Sequence, residues 1–308
     1  MLIANGLTKR YKKKLAVDDV SFKVRPGVVT GFLGPNGAGK TTTMRLILGL
    51  DKGLGETRYD GQLLREYASP VHVVGLLLDA KAFHPKRTAR NHLRVLAAAG
   101  GIDDTRVDEV LSIVGLTDVA DKRPGSFSMG MGQRLGIAAA ILGKPKYLLL
   151  DEPGNGLDPE GISWLRRFMQ DYAAAGNVVF VSSHLLSEMA QMATDVIVIG
   201  KGKLLADTSI EALISGSGAT TTFVRVKAPK RLERALIQAG AEVENSNSGL
   251  LVRGLDIDAV GQLAFKLATP VLELSQKAAS LEEVFLEITA GSEEYKAKVG
   301  ADSEDSDV

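Results

Sequence analysis

The chain has 308 residues, 45% of them hydrophobic, with 37 basic residues balanced by 37 acidic ones and no cysteine. Length and composition suit a soluble protein of two domains with a real core. The neutral balance speaks against a nucleic-acid binder held by phosphate contacts, and the lack of cysteine excludes a disulfide framework or a zinc-thiolate site. No run approaches the ~18 consecutive apolar residues of a membrane span. The first residues, Met1 to Gly6, are too poor in apolar side chains for a signal peptide. The chain therefore reads as cytoplasmic in character, serving a membrane only through a partner.

Strand-like and helical stretches alternate from residue 1 to about 215, the pattern of an α/β core with parallel strands. Residues 28–33 form a short β-rich run. Gly34, Pro35, Asn36, Gly37, Ala38, Gly39, Lys40 and Thr41 follow and fit the phosphate-loop pattern G-x-x-x-x-G-K-[ST]. The helical stretch that opens at Thr42 completes the strand–loop–helix setting the motif requires. Glycines let backbone N–H groups turn inward around phosphate, and the helix N-terminus adds positive potential. Lys40 reaches the β- and γ-phosphates in this pattern, and Thr41 offers its hydroxyl to Mg²⁺. A strand at 71–78 ends at Asp79, and residues 85–145 read as a mostly helical insert. A second buried strand, Tyr147–Leu150, ends in Asp151 and Glu152. Such a position suits Asp151 to a magnesium shell and Glu152 to polarising an attacking water. Further strands are expected at Val178–Ser182 and 196–199.

Small residues near 216–218 suggest a linker. Beyond it, a strand at 222–227, a helix at 230–239, a hairpin of 242–244 with 250–253, a helix at 257–267, a strand at 271–275 and a helix at 281–288 suggest a small α+β domain over 220–290. Residues 291–308 are polar and acidic, the composition of a solvated tail.

Between the phosphate loop and the Asp-Glu strand stands Ser128-Met129-Gly130-Met131-Gly132-Gln133-Arg134. The order of phosphate loop, serine-glycine segment before Gln-Arg, Asp-Glu strand, Gly156-Leu157-Asp158 and Ser183-His184 resembles the ATP-binding cassette (ABC) ATPases over residues 2 to about 215. The resemblance implies a P-loop cassette over 1–215, with its helical subdomain at about 85–145. It implies ATP and Mg²⁺ as ligands. Tyr11 falls where the family stacks an aromatic ring on adenine. Thr42 adjoins the loop. Ser128 and Gly130 would grip the γ-phosphate of ATP held by a second copy, Asp158 would cross the dimer interface and His184 would contact the γ-phosphate. Lys40, Glu152 and His184 would then serve catalysis, and Thr41, Asp151 and Asp79 the metal. Met129 and Met131 replace the usual Gly and Gln. Asp79 replaces a glutamine that links magnesium to the transmembrane partner, and a carboxylate there resembles the antibiotic-export and drug-resistance branch. So do the segments 82–93 and 280–287. The expected partners are a second copy and a separate permease, with no nucleic acid, at the cytoplasmic face of the membrane. A soluble cassette acting on ribosomes or DNA is the alternative, against which stand a single phosphate loop, no sustained heptads and neutral charge. An importer ATPase gated by its C-terminal domain is the other.

Overall fold

A computed structural model describes residues 1–79, 81–216, 221–246, 249–277 and 280–290. In chain order the first part runs β1 (Leu2–Tyr11), β2 (Lys14–Val24), β3 (Val29–Leu33), α1 (Lys40–Ile47), β4 (Leu54–Tyr59), β5 (Gln62–Leu63) and β6 (Val74–Leu77). Then come α2 (Ala89–Gly100), α3 (Thr105–Ile113), α4 (Met129–Ala140), β7 (Tyr147–Leu150), α5 (Pro159–Ala174), β8 (Val178–Ser182) and α6 (Leu186–Met192). β9 (Asp195–Gly200), β10 (Lys203–Ser209) and α7 (Ile210–Gly216) follow. The C-terminal part is β11 (Thr221–Val226), α8 (Pro229–Gln238), β12 (Glu242–Ser246), β13 (Gly249–Arg253), α9 (Ile257–Lys266), β14 (Val271–Lys277) and α10 (Leu281–Thr289).

The central sheet is six-stranded in the order β10-β9-β3-β8-β7-β6. β9, β3, β8, β7 and β6 are parallel, and β10 is an antiparallel edge. β3, β7 and β8 are buried at every position. Their mostly apolar, fully buried runs are what a parallel sheet covered on both faces demands. β6 is shorter than the expected 71–78 because Pro70–His72 forms a 3₁₀ turn; proline lacks the N–H that a strand ladder needs.

A second, antiparallel sheet in the order β2-β1-β4-β5 was not among the expected strands. Its β1–β2 pairing carries several register shifts, and Gly6 sits at φ 61°, so the apolar alternation is broken where a reader would seek it. This sheet closes one core against the central one. Phe22 of β2 meets Phe180 of β8 at 5.6 Å between ring centres, and Phe180 meets Phe32 of β3 at 4.9 Å. The opposite face of the central sheet buries residues of α2–α6, including Leu93, Leu111, Leu135, Leu165 and Met189.

In the C-terminal part, β11-α8-β12-β13-α9-β14 builds an antiparallel sheet in the order β12-β13-β11-β14. This is the βαββαβ arrangement of ferredoxin-like folds. Its own core is Val224, Leu232, Leu236, Leu250, Val252, Val260 and Ala264. The expected small domain of 220–290 also takes in α10, whose apolar face lies elsewhere. Ser280 and Glu283 form a capping box at its start. Leu281, Val284 and Phe285 then join the cassette core beside Met189, Met192, Ile210 and Leu213. The sequence shows that the helix is amphipathic but not which core receives it. The expected tail at 291–308 and most of the linker lie outside the described residues.

Because Phe285 is 9% exposed in the cassette core, Phe285→Ala should destabilise the full chain by about 3 kcal/mol. Leu286→Ala, on the 56% exposed side of the same helix, should change it by under ~0.5 kcal/mol. Chemical denaturation of the two variants checks this, and equal effects would contradict the placement of α10.

Candidate functional site

The carboxyl ends of three adjacent parallel strands build the site, where an open α/β sheet places its ligands. β3 leads into the loop at 34–41, β7 into Asp151 and Glu152, and β8, lying between them, into Ser182 and His184. The loop folds as its glycines require. Gly39 takes φ 104°, and a Cβ there would stand 2.5 Å from the carbonyl oxygen of Ala16. The loop is closed by the Ala38 N–H donating to Pro35 O at 3.1 Å. α1 starts at Lys40 with no side-chain cap, so its first N–H groups face the cavity.

That cavity, of about 420 Å³, is lined by Tyr11, Pro35, Asn36, Gly37, Ala38, Gly39, Lys40, Thr41, Thr42, Asp151 and Glu152, with Lys14 and Ala16 added. Gly34 stands just behind it. Lys40 is 8% exposed, and its ammonium donates to Gly34 O at 2.6 Å. Burial pulls its pKa below the ordinary lysine value, while the Glu152 and Asp151 carboxylates pull it back up. An ammonium held by one strong carbonyl contact in a desolvated site favours an anion as its partner.

Asp151 ties the strand ends together. Its Oδ2 accepts from Thr41 Oγ1 at 2.6 Å, and its Oδ1 accepts from Ser182 Oγ at 2.5 Å. Thr41 and Asp151 thus place two hard oxygen donors beside the phosphate loop. No cluster of three or more potential ligands occurs among the described residues. The donor set fits Mg²⁺, which takes one or two protein oxygens and completes its shell with phosphate and water. Glu152 Oε2 lies 2.6 Å from His184 Nδ1. Glu152 itself adopts φ 49°, an uncommon conformation for a residue with a side chain. At the cavity's other end the Tyr11 hydroxyl donates to Asp51 Oδ2 at 2.6 Å, and Arg45 donates to Asp51 Oδ1 at 3.0 Å. Lys9 Nζ stands 4.8 Å from the centre of the Tyr11 ring. The hydrogen bond to Asp51, then burial, raise the Tyr11 pKa and keep the phenol neutral.

Ser128, Gly130 and Asp158 are not in this cavity. Ser128 caps α4, accepting from the Met131 N–H at 3.2 Å, and with Met129 borders a second cavity that also reaches Asp79, Asp151 and Glu152. Asp158 caps α5, accepting from the Gly161 N–H at 2.8 Å. A Cβ on Gly156 would lie 2.5 Å from Met129 Cγ, and one on Gly130 3.0 Å from Gly156 O. The segment at 154–158 and the start of α4 are therefore packed on each other. Asp79 Oδ1 accepts from the Lys81 N–H at 2.8 Å.

The ABC transporter family profile matches residues 17–155, and a domain of unknown function matches 220–282. An uncharacterised ABC transporter ATP-binding protein of Bacillus subtilis, YhcH, is 35% identical over 96% of this chain and 97% of its own. This chain belongs to the ABC transporter ATP-binding proteins. The bacitracin transport ATP-binding protein BcrA of Bacillus licheniformis is 43% identical over 67% of the chain and 69% of its own length. The lantibiotic transport ATP-binding protein SrtF of Streptococcus pyogenes is 35% identical over 67% of this chain and 90% of its own. A solved ATP-binding subunit of an ABC transporter superposes with TM-score 0.65 at 26% identity, covering 71% of this chain and 93% of that one. The dimeric cassette MJ0796 shares the fold, with TM-score 0.62 at 23% identity over 68% of this chain and 98% of that one.

In this ABC ATP-binding protein, sequence reasoning missed Lys14, Asp51, Ser182 and Gln133. Ser182 follows an apolar strand and Gln133 a helix start, so neither spacing reveals that both bond to the Asp151–Glu152 turn. Asp158 carried a readable signal, an Asp followed by Pro at the first helical position.

The buried ammonium of Lys40 has a folded-state pKa below its unfolded one. Its cost to stability is fully present at neutral pH and is relieved as pH rises from the lowered value toward the ordinary lysine range. Lys40→Met should raise the melting temperature of the nucleotide-free protein at pH 7, and the gap to wild type should narrow at higher pH. ATP should raise the melting temperature of wild type only. Thermal shift with and without ATP across pH checks all three outcomes.

Proposed function

We propose that this chain is the ATP-hydrolysing subunit of an exporter for antibiotics or similar amphipathic compounds, working on a separate permease as two copies. The observation that carries the reading is the convergence of Lys40, Thr41, Asp151 and Glu152 on one cavity beside the phosphate loop, with His184 bonded to Glu152 at its edge. The names of the bacitracin and lantibiotic relatives support the choice of cargo class.

In this reading Tyr11, held by Asp51, stacks on adenine, while the 34–41 loop and α1 cradle the phosphates. Lys40 exchanges its carbonyl contact for the β- and γ-phosphate oxygens, which removes the cost of its burial. Mg²⁺ held by Thr41 and Asp151 would neutralise the charge that develops on the phosphates. Glu152 orients water and takes its proton, and His184, bonded to Glu152, faces the γ-phosphate. The second copy supplies Ser128 and Gly130 at the N-terminus of α4, where unbonded N–H groups suit an anion, and Asp158 lies at the junction. Binding free energy closes the dimer and hydrolysis reopens it. No helix among the described residues is long and apolar enough to cross a membrane. The closure therefore acts on a separate permease at the cytoplasmic face, through the surface around Asp79 and α2.

Glu152→Gln should bind ATP as wild type does and lose at least about a hundredfold in turnover, the usual worth of a positioned base. Phosphate release together with equilibrium nucleotide binding tests this. Turnover within twofold of wild type would remove Glu152 from its role.

A further inference from the structure

Glu152 is held in its left-handed conformation through both of its backbone groups. Its N–H donates to Ser182 Oγ at 2.9 Å, and its carbonyl accepts from the Asn155 N–H of its own turn at 3.2 Å and from Gln133 Nε2 at 3.0 Å. Ser182 ends β8, the strand beside the one that leads into Glu152. Gln133 lies on α4, five residues past the cap at Ser128, or about 7.5 Å along the helix axis. Only its NH₂ end can serve a carbonyl acceptor, so its orientation is chemically determined. Gln133 is 4% exposed, and its Oε1 has no hydrogen-bond partner among the described residues. A buried amide oxygen without a donor costs stability. An apolar side chain there would serve α4 better, and the contact to Glu152 is what the glutamine adds.

We propose that Gln133 is a positioning residue that holds the Glu152 backbone in place and so couples α4 to the hydrolytic site of its own chain. The inference rests on the dimeric reading above. There the N-terminus of α4 meets the ATP of the second copy, while Gln133 on the same helix grips the glutamate beside the chain's own ATP. One rigid helix thus touches both sites. A hydrogen bond weakens steeply with distance and angle, so a shift of α4 as the partner's ATP arrives changes how firmly Glu152 is held. Each site then becomes competent in response to the other.

Mixed dimers of differently tagged full-length chains separate this from a structural role for Gln133. One protomer carries Glu152→Gln, leaving a single working glutamate in its partner. Gln133→Met, close in shape but without the donor, is placed either beside the working Glu152 or on the Glu152→Gln protomer. Beside the working glutamate it should lower turnover about fivefold or more, the net worth of one hydrogen bond, with ATP affinity unchanged. On the opposite protomer it should lower turnover by far less. A larger loss on the opposite protomer would mean that Gln133 serves only the α4 phosphate contact, and would overturn the proposal. So would equal losses in both arrangements, the mark of general damage to α4, or no loss in either. If the wild-type chain itself neither hydrolyses ATP nor forms dimers, the functional reading fails and this inference with it.

Discussion

The Asp151 carboxylate is the junction on which the rest of the site depends. One oxygen accepts from Thr41 at the start of α1, the other from Ser182 at the end of β8. Two charge-assisted bonds thereby lock the phosphate loop, the Asp-Glu turn and the strand leading to His184 into one frame. Parallel pairing of β3, β8 and β7 brings the three strand ends together first. The carboxylate then sets their angular relation, which side chains on loops alone would leave loose.

Around that frame the site is under tension in two places. Lys40 is desolvated with its ammonium bonded to backbone carbonyl oxygens, and Glu152 is held at φ 49°. Both are costs that a stable fold would avoid, and in the proposed function both sit where a phosphate chain and an attacking water would lie. The folding free energy of the sheet and its two cores maintains them. The same logic separates the two halves of the chemistry. Lys40, Thr41, Asp151 and Glu152 share a cavity that Ser128 and Gly130 do not line, although Ser128 borders the neighbouring cavity that reaches Asp151 and Glu152.

Much of this was legible in the sequence, and for physical reasons. The phosphate loop, the Asp151–Glu152 turn and His184 each follow a short, mostly apolar run, because a parallel strand buried on both faces is largely apolar and ends where the site begins. Residues that act through a partner's geometry were not legible. Gln133 and Ser182 look like ordinary helix and strand-end residues until the backbone of Glu152 is placed between them. The sheet of β1, β2, β4 and β5 was hidden by its irregular register and Gly6. The face of α10 was readable, but not that Phe285 would bury itself in the cassette rather than under the ferredoxin-like sheet. That docking has a consequence for the site. α10 packs against α6, the helix that starts two residues after His184, so the C-terminal part reaches the element next to the β8 strand end.

In the proposed dimer the phosphate loop is half of a site that a second copy completes. The chain contains no cysteine, so cysteines introduced as Asn36→Cys and Met129→Cys are the only thiols present. Asn36 lies in the loop, and Met129, 56% exposed, begins α4. With a short bifunctional thiol reagent, the doubly substituted chain should give a covalent dimer with ATP and remain monomeric without it. A chain that stays monomeric in saturating ATP, while still binding the nucleotide, would contradict the account.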